Sequence, residues 1–385
     1  MQNKKLLCGS VSLLALAIAG QASAFELSAG DYRAELYGYA RFNASYDIEE
    51  EIAISTRSGA FSSINTGAAE DDEVTGHFGA DAVQTRIGVR STTPEGVKVV
   101  VEGDFRGGTL RLRHGYGEYN GVLLGQTWSN FNSFVGNTRV LDFDGLAGNA
   151  GLQGRVAQAR YSSGPLSFSL EEPRTNFTFN QLDDDGDLVN ASAGGKQSLP
   201  TLTARLEDAA GGLSYSAAVL AQQVEYDTGS EDDSVIGFAA FAAARLALTD
   251  ALTLQGAVSY TDGANAYLYR SGDNFAAEDA YVDASGSLET LAGYGGTLGL
   301  GLDLGGGRSL NLGYGWVTVD WDDAEDDGLL VGGKSETNQN LMANYLWSPV
   351  KHVTLGVEYG YFKRENVSGD DGDASRILFA GQYNF

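Results

Sequence analysis

Beyond its N-terminus the chain has no apolar stretch approaching the roughly 18 to 20 residues of a membrane-crossing helix, yet apolar and polar residues alternate in short runs from Tyr37 to the final Phe385. Alternate side chains of a strand point to opposite faces. Val97, Val99 and Val101 therefore share one face, and Lys98, Val100, Glu102 and Asp104 the other. Leu110 and Leu112 oppose Arg111 and Arg113 in the next run, and Asn120-Gly121 supplies the tight turn after it, since both central residues of a type I′ turn need positive φ. About sixteen such runs follow one another, with short turns alternating with mostly long connections. In hydrocarbon every backbone polar group must be paired, so strands cross a membrane only as a closed barrel. Turns short on one side and long on the other are what such barrels show. These observations predict an all-β, transmembrane antiparallel barrel. The Ala-rich segment 236–248 alternates weakly, so a helix competes with a strand there.

Lys4 and Lys5, an apolar run over 11–19 and Ala22-Ser23-Ala24 read as a secretory signal over 1–24, leaving one barrel domain over 25–385. The single cysteine, Cys8, would leave with the signal, which removes disulfides and thiolate chemistry from consideration. Gly is abundant (52) and Pro scarce (5), as suits strands and turns. Ile377, Phe379, Gly381, Tyr383 and Phe385 alternate up to the terminus, and a last strand ending on Phe resembles the sorting signal of outer-membrane barrels.

Charge is distributed by location. The formal charge is −26, and most acids fall in the long connections. Opposite the apolar faces stand Arg41, Arg86, Arg90, Lys98, Arg111, Arg113, Arg160, Arg205, Arg245 and Arg376. A charge on the lipid face at the midplane costs about 2 to 4 kcal/mol, so this parity places them in a wet lumen. The segment 129–154 has no period, and a compact domain seldom carries so long an irregular loop without a task. We expect it to fold inward as a constriction loop and bring Arg139, Asp142 and Asp144 to face Arg41, Arg86, Arg111 and Arg113. Arg90, Lys98 and Arg160 complete the expected pore lining. A plainer reading has these arginines only neutralise the inward acids Glu35, Glu102 and Asp104.

His114 shares parity with Leu110 and Leu112, so it is expected to point outward with Tyr116 and Glu118. Glu118 would be costly against lipid, which predicts a protomer contact through strands between about 34 and 129. The external turn Arg106-Gly107-Gly108, read as far shorter than the other external connections, points to the same low, sheltered wall. His77, His114 and His352 show no metal-ligand spacing, and no nucleophile motif appears, so no catalytic residue, cofactor or metal is assigned. The acidic runs 183–187 and 322–327 lack the EF-hand pattern, and weak Ca2+ binding is the most they suggest. The acidic balance argues against a nucleic-acid partner.

The stretches RSTTPEGVKVVVEGDF, LRLRHGYGEYNGVLLGQTWSNF, VLDFDGLAG and VAQARYSS resemble the corresponding strands and inward loop of DcaP-like trimeric porins of the bacterial outer membrane, most densely over 84–161. The resemblance implies a homotrimer of sixteen-stranded barrels, set in outer-membrane lipid and lipopolysaccharide, that admits small anionic solutes such as dicarboxylates. The periplasmic helical extension of some members has no counterpart here, because the first strand is expected soon after Phe25. Passive diffusion of small hydrophilic solutes, with anions preferred at an arginine-lined constriction, is the expected function. An outer-membrane barrel enzyme and a secreted acidic β-rich binding protein are the rival classes.

Overall fold

The computed structural model describes residues 25–29, 32–182 and 188–385; the expected signal over 1–24 and the acidic run 183–187 lie outside the described residues. Among the described residues sixteen strands form the wall. They are β1 (Tyr32–Asp47), β2 (His77–Asp81 continued by Arg86–Thr92), β3 (Lys98–Asp104), β4 (Arg111–Tyr119), β5 (Val122–Trp128), β6 (Arg155–Ser163), β7 (Leu166–Glu171) and β8 (Thr201–Ala210). They continue as β9 (Leu213–Asp227), β10 (Asp232–Ala247), β11 (Leu252–Asp262), β12 (Ala292–Gly305), β13 (Arg308–Val319), β14 (Ser335–Trp347), β15 (Val353–Asn366) and β16 (Asp371–Asn384). Each pairs antiparallel with the next, and β16 returns to β1 from Tyr39↔Asn384 to Asp47↔Arg376. Among the described residues closure gives each of the sixteen wall strands a neighbour on both sides. Below that seam the strand Phe25–Ala29 pairs with the start of β1.

Outward positions are mostly apolar, as Leu124, Phe168, Val258, Leu298 and Tyr383 illustrate. The Ala-rich segment is strand β10, its small inward side chains making room for Phe131 of the loop that follows β5. Asn120 and Gly121 both have positive φ, as the turn they form requires. Where β2 is interrupted, Thr85 Oγ1 accepts the Arg41 N–H and the Asn43 amide donates to Gln84, so side chains replace the missing ladder bonds.

Two expectations fail here. The first is the outward face of His114. β3 and β4 slip register between Glu102↔His114 and Gly103↔Leu112, leaving Arg113 as the extra residue of a β-bulge. A bulge shifts side-chain parity by one. Arg113 and His114 are both buried in the lumen wall, His114 Nδ1 meets Thr127 Oγ1 at 2.9 Å, and Glu118 pairs with inward Lys98. His114, Tyr116 and Glu118 are therefore not a protomer contact. The second is the length of the external connections. The acidic stretches 223–234 and 364–374 are mostly strand, because alternation continues above the membrane where both faces are wet, so 105–110 is not the shortest connection. The low wall comes instead from the strands: β3, β5 and β7 have 7, 7 and 6 residues against 16 in β10.

The barrel is filled from above. Ile52 and Phe61 of the first external loop, Leu146 of 129–154 and Leu268 of the loop after β11 pack on Val317, Met342 and Phe362 of the wall. Phe131 packs with Phe241 and Tyr267 in a second cluster. Within the long external connections after β7 and β11, Phe177–Leu182, Leu188–Ala191, Ala280–Val282 and Leu288–Thr290 form a four-stranded sheet.

Candidate functional site

The segment 129–154 lies inside the barrel, fixed to inward residues of the wall. Glu358 on β15 accepts the backbone N–H groups of Leu141 and Asp142 at 2.7 and 2.8 Å and the Asn344 amide at 2.9 Å. Arg41 donates to the Leu141 carbonyl at 2.6 Å, and Asn340 both donates to Gly145 O and accepts from Ala147 N. The wall makes room with glycine. A Cβ on Gly313 would stand 2.7 Å from Leu146, and one on Gly315 would stand 2.2 Å from Ala147 O. Gly148 has φ +77° and sits against Gly296 backbone, so no larger residue fits.

Facing this loop, β2 to β4 carry a tight charge cluster. Arg113, 2% exposed, spans Glu102 (2.9 Å) and Asp104 (2.6 Å). Arg111, 37% exposed, grips Asp104 at 2.6 Å, and Arg86 lies 3.2 Å from Glu102. Glu35 pairs with Arg90 nearer the periplasmic end. The neutralising pairs that the plainer reading foresaw are therefore present. They do not exhaust the arginines. Arg155 at the start of β6 lies among Arg86, Arg111 and Arg113, with its guanidinium 4.5 Å from the Trp128 ring and no carboxylate at ion-pair distance among the described residues. Four guanidinium groups thus share two carboxylates.

The ten expected residues separate accordingly. Arg86, Arg111 and Arg113 meet in this cluster; Arg90 and Lys98 lie on the same wall, paired with Glu35 and Glu118. Arg41 is buried under the loop and bonded to Leu141, Asn43 and Gln382. Asp142 turns from the arginine cluster to accept the Gly59 N–H, with Arg376 at 3.8 Å. Asp144 is gripped by Arg106. Arg139 does not face the ladder: burial pulls its guanidinium below its usual range, and the acid acting against that is Asp303 on β12. Arg160 reaches Gln158 and the Trp128 carbonyl. Arg106, Arg155 and Glu358 were missed, although Arg155 follows directly on the irregular segment. The external run 322–327 contains one helical turn, Asp322–Asp326.

A closed sixteen-stranded barrel, lipid-facing outside and carrying an infolded loop beside a charged inner wall, defines an outer-membrane porin. The sequence profile of the DcaP outer membrane protein family matches residues 19–385, and the chain belongs to that family. The outer membrane channel DcaP of Acinetobacter baumannii superposes with a TM-score of 0.78 at 28% identity, covering 94% of this chain and 99% of that one. The anion-selective porin from Comamonas acidovorans has the same fold, with a TM-score of 0.55 at 13% identity over 92% of this chain and 100% of that one. Among curated proteins no match is found. Membership in an outer-membrane family sets aside the secreted soluble protein.

Proposed function

We propose that this porin passes small hydrophilic solutes passively, preferring anions that carry one or two carboxylates, and that it performs no catalysis. The excess of guanidinium over carboxylate at Arg86, Arg111, Arg113 and Arg155 carries this reading. A guanidinium offers paired N–H donors that match a carboxylate, and Arg155 has no protein carboxylate to compete with a solute. The acidic external loops oppose the preference only weakly, since charges beyond about 8 Å are largely screened at physiological salt. In liposome swelling, succinate should enter faster than a zwitterion of similar size. Arg155→Ala should narrow that difference without lowering barrel stability, because it breaks no ion pair; equal rates in the native protein contradict the reading.

The same reading includes a homotrimer. Strands of 6 and 7 residues fall short of the roughly 9 to 11 that cross a bilayer, so the sector from β3 to β7 needs cover from a second copy. Glu118 gives it no support. Native mass spectrometry in mild detergent should show three chains; a single chain contradicts the assembly.

A further inference from the structure

The hairpin tip between β3 and β4 is tied inward rather than left in solvent. Arg106 meets Asp144 of the infolded loop through two parallel bonds, 2.7 and 2.9 Å. Its guanidinium lies 4.9 Å from the Phe143 ring and 5.4 Å from Phe275, and the next residue, Gly107, donates its N–H to Ser55 of the first external loop. Phe143 also approaches Arg113, at 5.8 Å, so this strap stands beside the arginine cluster. The carboxylate of Asp144 is almost fully buried, and Arg106 is the cation at ion-pair distance from it among the described residues. The neighbouring Asp142 is committed to Gly59 and Arg376.

We propose that Arg106 is a positioning residue for selectivity: it holds Asp144 in a bidentate ion pair and so keeps a negative charge from acting on solutes that pass the arginine cluster. The inference rests on the porin reading above. A planar fork on a carboxylate fixes both groups and cancels their fields at short range. Losing either partner exposes the other, and the two losses have opposite signs. A unit charge about 6 Å from an ion path, in water-like dielectric and screened by physiological salt, changes the occupancies of chloride and potassium about 1.7-fold in opposite directions, so their ratio changes about threefold.

The test is the chloride-to-potassium permeability ratio in planar bilayers for Arg106→Gln, Asp144→Asn and the double variant. Arg106→Gln should lower the ratio about threefold and Asp144→Asn should raise it by a similar factor, with the double variant close to the native protein. A strap that only braced the loop would move both single variants in one direction. That result, or no movement in either, overturns the proposal. The comparison is between variants, so a native pore that prefers potassium refutes the anion reading while the opposed shifts still support the strap. Should Arg106→Gln fail to give a heat-modifiable barrel, the near-isosteric Asp144→Asn decides alone, an unchanged or lowered ratio overturning the proposal.

Discussion

Replacing Arg111 and Arg113 together by alanine is expected to abolish most of the chloride preference, lowering the chloride-to-potassium ratio on the order of tenfold. Two positive charges leave a cluster of four, so Arg86 and Arg155 then face Glu102 and Asp104 with no excess. If each unit charge near the path is worth about threefold, two give about tenfold. The same change has a structural cost. Asp104 is fully buried and would keep no cation partner, and removing one side of a buried pair typically costs about 3 to 5 kcal/mol. Local loosening of β3 and β4 should accompany the loss of selectivity. Adding Glu102→Gln and Asp104→Asn should recover the stability and, by leaving Arg86 and Arg155 with no opposing carboxylate, return the excess to two charges and restore the chloride preference. Unchanged selectivity in the double variant, measured by reversal potential, would place the filter elsewhere.

Glu358→Ala is expected to free the middle of the infolded loop. Its carboxylate is the shared acceptor for two loop N–H groups and for Asn344, and the two loop N–H groups lose their partner at a buried site while the Asn344 amide keeps the Arg139 carbonyl. An orphaned buried donor costs about 1 to 3 kcal/mol, enough to detach a local segment without unfolding a closed barrel. Single-channel conductance should rise and become noisier, while heat-modifiable gel migration stays native. Glu358→Gln keeps one acceptor oxygen and should fall between the two. A quiet channel of native conductance in Glu358→Ala would show that Arg41, Asn340 and Arg106 hold the loop without it.

The barrel was legible because closure, lipid exposure and strand geometry all write the same period into the sequence. Arg86, Arg111 and Arg113 were found by parity alone. Parity failed at the bulge, since the clean alternation of Leu110-Arg111-Leu112-Arg113 was extended to His114 while the ladder opposite slips at Gly103. A slip is set by pairing between strands, and one strand's pattern does not contain it. The loop's attachments were unreadable for a related reason. Glu358 and Leu141 are 217 residues apart, and Arg106 and Asp144 are 38 apart. One signal was present and unused: Gly299, Gly313 and Gly315 share the inward parity of adjacent strands, marking where another segment presses against the wall.

The central claim, an arginine excess that makes the pore prefer anions, is tested most directly by the zero-current potential of the native protein in a planar bilayer across a potassium chloride gradient at moderate salt. Net chloride flow down the gradient should set the sign, with chloride several-fold more permeant than potassium. A potential of the opposite sign, with potassium the more permeant ion, would show that the acidic loops govern the pore and would contradict the account.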